Sequence, residues 1–228
     1  MLLNSNVKLF SNTLHRDQWQ RYLKKYPVHV YKKGEIILLQ NEIPNALRII
    51  KSGLVKTYNI NSHGEERPVS FDAQSEIFPA GWVFGKIERT EYFYEAFTNC
   101  ELYEMPRKDF LLYMRLHPKM GYEMYAALAS QHVSLQSRIY ALEQSRASEK
   151  IIRTLLYLCE RFATPTSGGK SLKLKLPLTQ QELANFIGIT RETTSTELKK
   201  LEKLKAVKHH NQQYSIDVKK LKAILEED

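Results

Sequence analysis

The chain has 228 residues, of which 43% are hydrophobic and 26% charged, with 13 Tyr and 9 Phe; this composition excludes intrinsic disorder and leaves room for one large domain or two small ones. Its two cysteines, Cys100 and Cys159, stand far apart without companions, which excludes a CxxC redox pair, a thiolate zinc site, a four-cysteine iron–sulfur cluster and a disulfide-dense secreted fold. The formal charge of +9 is uneven, with 18 basic against 15 acidic groups in residues 1–144 and 16 against 10 in residues 145–228, so the C-terminal third attracts polyanions, nucleic acid first and an anionic membrane surface second.

The opening residues Met1-Leu2-Leu3-Asn4-Ser5-Asn6 lack the apolar stretch of a signal peptide, and no apolar run of about 18 residues follows, so a cytoplasmic protein with no membrane partner is expected. Residues 28–31, 35–39, 47–50, 53–60, 67–71 and 93–105 are short runs rich in β-branched and aromatic side chains, separated by turn signals at Lys33-Gly34, 41–45, Ser52-Gly53 and Asn61-Ser62-His63-Gly64. That spacing predicts an antiparallel barrel or jelly roll. Trp82, Phe84, Tyr92 and Tyr94 crowd one stretch of it, together with Phe93 and Phe97. They have two readings, an apolar ligand pocket or plain core, and aromatics at strand spacing are more often core.

From Pro106 the period changes to helical, with neither Gly nor Pro between Tyr122 and Thr164. Gly121, Tyr125, Leu128, His132, Leu135, Ile139 and Leu142 recur at alternating steps of four and three residues, a heptad seam that predicts a dimerisation helix. The competing reading is a helix packed on its own barrel. Residues 145–148 are expected to recap a second helix over 151–162, which sets a hinge near Gln144-Ser145. The looser stretch 164–170 and a half-exposed strand at Leu172, Leu174 and Leu176 come next. Gly169-Lys170-Ser171 is similar to the end of a phosphate-cradling loop, but Thr164 occupies the position that requires glycine, which sets a nucleotide hydrolase aside.

Residues 178–201 carry the functional signal. Thr179 with Glu182 three residues on is a capping box, and Leu183, Phe186 and Ile187 form the inward side of the short helix it starts. Ala184 is small where a second helix crosses, and Gly188 suits a left-handed end. Thr190 caps the next helix, with Leu198 and Leu201 inward and Arg191, Glu192, Ser195, Thr196 and Lys199 outward. Two helices about a glycine turn make a helix-turn-helix, and the strand-like pair over 207–217 makes it winged. The outward residue types suit DNA: Arg forks onto guanine or phosphate, Glu accepts from cytosine, Ser and Thr meet phosphates or a thymine methyl, and amides near Thr179 and Gln180 suit a phosphate.

At this point the chain resembles transcription regulators of the Crp/Fnr superfamily, the cyclic-AMP receptor protein and fumarate–nitrate regulator type. Residues 33–40, 47–56 and His63-Gly64-Glu65-Glu66 resemble the family's β-helix sensor domain, and residues 178–204 its DNA-binding motif, with Arg191-Glu192-Thr193 at the start of the recognition helix. The resemblance implies an α+β fold: an N-terminal antiparallel jelly roll of the cyclic-nucleotide-binding type over 1–117, a dimerisation helix over 118–144 and a winged helix-turn-helix over 145–228. It implies a homodimer on a palindromic operator in double-stranded DNA, with RNA polymerase as a further partner and no enzymatic activity. Two departures concern the recognition helix, where Thr196 replaces the usual Arg and Thr194 the usual Val or Ile, the latter expected to loosen its packing. A third concerns the sensor. Nucleotide binders have Gly-Glu for the ribose, a short helix, then Arg-Ser or Arg-Thr for the phosphate; here Lys86 follows Gly85, Thr90-Glu91 fall at the phosphate position, and seven residues after Gly85 leave little room for the helix.

A cyclic nucleotide is therefore not expected, since a carboxylate repels a phosphate, and no cofactor is called for. The histidines available to a haem, His29, His63 and His132, stand singly, and the His-x-His metal pair of cupin enzymes is missing from the barrel. A cupin-like metal enzyme and a ligand-sensing module without DNA binding are the alternatives to a DNA-binding regulator.

Overall fold

The computed structural model describes residues 13–167 and 169–227; the residues read above for a leader lie outside that range. The first part of the chain forms α1 (Thr13–Leu23), β1 (Val28–Tyr31), β2 (Ile36–Leu38), β3 (Leu47–Ser52), β4 (Val55–Ile60), β5 (Glu66–Asp72), β6 (Ile77–Phe78), α2 (Ala80–Val83), β7 (Phe93–Ala96), β8 (Cys100–Met105), α3 (Arg107–Leu116) and α4 (Pro118–Glu143). The strands make two four-stranded antiparallel sheets, ordered β1-β8-β3-β6 and β2-β7-β4-β5. Strand alternation explains the layering. Ile50 and Leu102 of the first sheet meet Val55, Tyr94 and Ala96 of the second in one apolar cluster. Leu47, Ile49 and Met105 turn the other way and meet Trp19 of α1, Phe110 and Tyr113 of α3 and Met120, Met124 and Ala127 of α4.

The expected strand over 93–105 is two strands, because the chain turns at residues 97–99 to pass Gly53. Gly53 has φ +92°, and a Cβ there would clash with the Asn99 carbonyl and lie 2.8 Å from the Cys100 Cα. Strand β6 and helix α2 carry no sequence period, being two and four residues long.

The second part comprises α5 (Ala147–Phe162), β9 (Ala163–Pro165), β10 (Leu172–Leu174), α6 (Gln180–Ile187), α7 (Arg191–Lys203), β11 (Val207–His210), β12 (Gln213–Ile216) and α8 (Val218–Glu227). Ile151, Leu155, Leu158 and Phe162 line one stripe of α5 at helical spacing and are buried, each contributing roughly 1.5–3 kcal/mol by leaving water. The expected side-chain recapping of α5 does not occur: its N-cap is Arg146, whose side chain does not cap the helix. The stretch read as loose from 164 begins as β9, which completes a sheet ordered β11-β12-β10-β9.

The described residues divide into two compact units, one ending at Leu128 and the other beginning at Ala129, so α4 contributes to both. No helix among them is long and apolar enough to cross a membrane.

Candidate nucleic-acid interface

The start of α6 is fixed by a complete capping box. The Glu182 amide donates to Thr179 Oγ1 at 3.1 Å, and the Thr179 amide donates to Glu182 Oε2 at 2.7 Å. The Thr179 amide is thus engaged, and the Gln180 and Gln181 amides of the first turn are the ones left for an anion. At the other end Gly188 adopts φ 80°, ψ 34°, and its N–H closes on the Ala184 carbonyl at 2.8 Å. Ala184 is completely buried, as the close crossing of α7 requires. Two residues later Thr190 caps α7 by accepting from the Thr193 amide at 3.1 Å.

Thr194 does not loosen that helix. It is completely buried, and its hydroxyl donates to the Thr190 carbonyl at 3.0 Å, so the polar atom brings its own partner.

With the helix seated on Leu198 and Leu201, Arg191, Glu192, Thr196 and Lys199 stand exposed and Ser195 is half-buried. Gln180, Arg191, Glu192 and Ser195 line a shallow concavity of about 320 Å³. Thr196 and Lys199 lie one and two turns further along α7. Among the described residues, Arg191, Glu192 and Lys199 have no ion-pair partner, whereas Lys200 on the next position is held by Glu197 at 2.7 Å.

Sequence reasoning missed the outer side of the wing sheet. Lys173 of β10, Ser215 of β12 and Lys208 of β11 stand in one register row. With Thr166, His210 and Gln213 they line a second concavity of about 270 Å³. The alternating lysines around Leu172 and Leu174 were the available signal, but strand pairing alone brings them beside Lys208.

In the sensor unit the four aromatics singled out above separate. Trp82 and Phe84 pack in the cluster between sheet and helices, while Tyr92 and Tyr94 belong to the cluster between the two sheets. There Tyr94 stacks on Phe78 with ring centroids 5.0 Å apart. The short helix doubted after Gly85 exists before it, as α2, and Pro79-Ala80 stand at its start without a carboxylate. Thr90 is buried. Its hydroxyl donates to the Leu39 carbonyl and accepts from the Glu42 amide at 3.0 Å; Arg89 donates to the Asn41 carbonyl at 3.0 Å. Two charged pairs sit deep in this unit, Lys56 with Glu95 at 3.1 Å and Arg48 with Glu104 at 3.2 Å, the Tyr31 hydroxyl donating to the Glu104 carboxylate at 3.4 Å.

His29 lies 3.5 Å from Glu104, His63 is in an exposed turn and His132 is exposed on α4. No group of three or more His, Cys, Asp or Glu among the described residues could hold a metal ion. Along α4 the seam residues are turned outward: Tyr125 is 70% exposed, Leu135 42% and Ile139 55%. Leu128 and Leu142 are half-buried.

Residues 28–117 match the cyclic nucleotide-binding domain, and residues 149–224 match the Crp-like helix-turn-helix domain. The HTH-type transcriptional regulator ArcR of Staphylococcus haemolyticus is 30% identical over 181 residues, 78% of each chain. The nitrogen fixation regulation protein FixK of Rhizobium meliloti is 28% identical over 174 residues, 76% of this chain and 74% of its own. Among solved structures, a doubly substituted CooA from Carboxydothermus hydrogenoformans superposes with a TM-score of 0.75 at 21% identity, over 96% of this chain and 98% of that one. A capped helix-turn-helix with an unpaired polar face, a two-sheet sensor unit and these two domain matches together place the chain in the Crp/Fnr family of transcription regulators.

Proposed function

We propose that the protein acts as a homodimer that reads a two-fold operator in double-stranded DNA through α7, and that its sensor unit answers to neither a cyclic nucleotide nor an iron–sulfur cluster. The observation that carries the reading is the row Arg191, Glu192, Ser195, Thr196 and Lys199 on a helix capped by Thr190, with charged groups that have no partner among the described residues. A free carboxylate beside a free guanidinium suits base edges, which offer donors and acceptors side by side; phosphates alone would favour cations only. Gln180 adds a backbone amide at a helix start, and Lys173 and Lys208 add cations beyond the motif.

Dimerisation is supported by the apolar residues that α4 leaves in water, Tyr125, Leu135 and Ile139, which a second copy of the same seam would cover. Against a cyclic nucleotide stand the missing carboxylate at Pro79-Ala80, the carboxylate of Glu91 at the phosphate position, and the engagement of Thr90 and Arg89 with loop carbonyls. Iron–sulfur ligation fails on cysteine number. The same reading makes the protein a cytoplasmic regulator and not an enzyme, with RNA polymerase as the partner that turns operator occupancy into a change of transcription.

Selection from random duplexes, followed by gel-shift titration at several salt concentrations, tests this. A two-fold motif with half-sites centred about 34 Å apart is expected. Arg191→Ala or Glu192→Ala costs about 1–3 kcal/mol and relaxes one base pair per half-site. Lys199→Ala weakens all sequences alike and lowers the salt slope by about one per half-site. Thr196→Arg shifts or sharpens the selected half-site. Enrichment of no sequence, with weak and salt-independent binding, would overturn the reading.

A further inference from the structure

The Arg138 side chain of α4 reaches the helix-turn-helix directly. Arg138 lies in the chain between the seam residues Leu135 and Ile139. Its guanidinium carbon stands 3.6 Å from the centroid of the Phe186 ring, the separation of a flat stack in which cation and ring face attract. From that position its Nη2 donates to the Phe186 carbonyl at 3.4 Å. Phe186 is the penultimate residue of α6, and carbonyls of a last helical turn have no partner within the helix. The guanidinium therefore supplies a donor, and a positive charge, at the negative end of α6.

The Phe186 ring is buried and also stacks with Tyr157 of α5, centroids 6.2 Å apart and planes 29° apart. Near the end of α4, Arg153 of α5 lies over Tyr140 at 4.6 Å. Two guanidinium–ring contacts thus tie the second half of α4 to the body of the C-terminal unit, and the Arg138 contact falls on the motif itself. Beyond Phe186 only the Gly188 turn and the Thr190 cap separate this contact from the base-reading end of α7. Helix α6 and the first turn of α7 are fixed to one another by buried side chains and caps, so a rotation of α6 about the Arg138 contact carries Arg191 and Glu192 with it.

We propose that Arg138 is a positioning residue that transmits the register of the dimer seam to the recognition helices, setting the half-site separation the protein accepts. This rests on the dimeric DNA-binding reading above. An Arg suits the task because its planar fork stacks and donates from one fixed orientation, whereas a Lys ammonium is a point charge on a flexible stem. The consequence for DNA is geometric. Each added base pair moves a half-site by about 3.4 Å and turns it by about one-tenth of a helical turn, so a firmly held pair of α7 helices tolerates one spacing and a loosely held pair tolerates several.

The test uses the full-length protein and three duplexes built from its selected operator: native spacing, one base pair added between the half-sites, and one half-site alone. For the unsubstituted chain, the inserted base pair is expected to cost about tenfold or more in affinity, equivalent to about 1.4 kcal/mol. In Arg138→Gln the penalty should fall below about threefold, or about 0.65 kcal/mol by the same conversion. Affinity for the single half-site should stay within about twofold and the sedimentation coefficient should stay that of a dimer. Phe186→Leu removes the ring but keeps apolar volume, and should reproduce the flattened spacing preference. If Arg138→Gln does not fold, Arg138→Lys replaces it, with a spacing penalty expected between those of the other two proteins. An undiminished penalty in the folded variants overturns the assignment, and so does a loss of single half-site binding as large as the loss on the full operator, which marks a merely structural contact. Failure of the unsubstituted protein to select any two-fold operator has a different signature and overturns the dimeric reading beneath it.

Discussion

In the sensor unit four cations lie against carboxylates: Lys51 on Glu101 at 2.9 Å, Lys56 on Glu66 and Glu95 at 2.6 and 3.1 Å, Arg67 on Glu65 at 2.6 Å and Arg48 on Glu104 at 3.2 Å. On the exposed face of α7, Arg191, Glu192 and Lys199 have no such partner among the described residues, although Glu197 and Lys200 show that pairing is available on the same helix. A folded chain gains little from exposed pairs, so the contrast concerns partners more than stability. The paired sensor cations are neutralised within their own unit, whereas Arg191, Glu192 and Lys199 are left available to a partner outside theirs. The two units differ in the same way in their apolar groups. The outer side of one sensor sheet is covered by α1, α3 and α4, while further along α4, in the second unit, the side chains of Leu135 and Ile139 meet water.

The strongest way to break that comparison is to make the uncovered seam unattractive. Leu135→Glu with Leu142→Glu places two carboxylates per chain in the expected interface, and the protein should sediment as a monomer. Operator affinity should then fall by about 100-fold or more, since two linked half-site contacts become one. An unchanged dimer would place the interface on other residues of α4, Tyr122, Val133 and Tyr140 being the other large apolar groups left in water there.

Much of this was legible in the sequence because it is written locally. Thr179, Glu182, Gly188 and Thr190 encode the two helix starts and the turn within twelve residues, and each makes the bond or adopts the φ its type implies. What was illegible depends on residues distant in sequence. The break at residues 97–99 is dictated by the backbone of Gly53, and the row of Lys173, Ser215 and Lys208 by pairing across three strands. The position of α2 ahead of Gly85 was missed because four residues carry no helical period. Arg138 was invisible for a related reason: in a heptad it reads as a solvated flank, and only the fold puts Phe186 under it.

Two glycines sharpen the local against the distant. Both have left-handed backbones, φ +92° at Gly53 and +80° at Gly188. A Cβ at Gly188 meets nothing within 4 Å, so Gly188→Ala carries the backbone cost alone, about 1–2 kcal/mol. A Cβ at Gly53 meets the backbone of Asn99 and Cys100 as well, and backbone cannot turn aside. Gly53→Ala should therefore cost about 2–5 kcal/mol, the left-handed cost plus overpacking. Denaturant titrations of the two variants check this, and equal costs would show that the 97–99 turn yields.

The smallest effect separates the units by their buried hydroxyls. Thr90 and Thr194 are both buried, at 2% and 0% exposure, and both could be replaced by Val without changing shape. In the sensor unit Thr90 is a junction for a segment some fifty positions away, accepting from the Glu42 amide at 3.0 Å while donating to the Leu39 carbonyl. Thr90→Val removes the hydroxyl from that amide and should cost about 1–3 kcal/mol, the range for a buried group that loses its partner. In the motif Thr194 gives its proton to the Thr190 carbonyl, which the Thr194 amide also reaches at 3.0 Å. Thr194→Val therefore leaves no group unpaired, and its stability should stay within about 0.5–1 kcal/mol of the parent in either direction. Because the side chain faces inward, the selected operator should be the same. A large loss at position 194 with an intact response at 90 would mean that the motif, too, is held by bonds from distant parts of the chain, and that its legibility in the sequence was fortuitous.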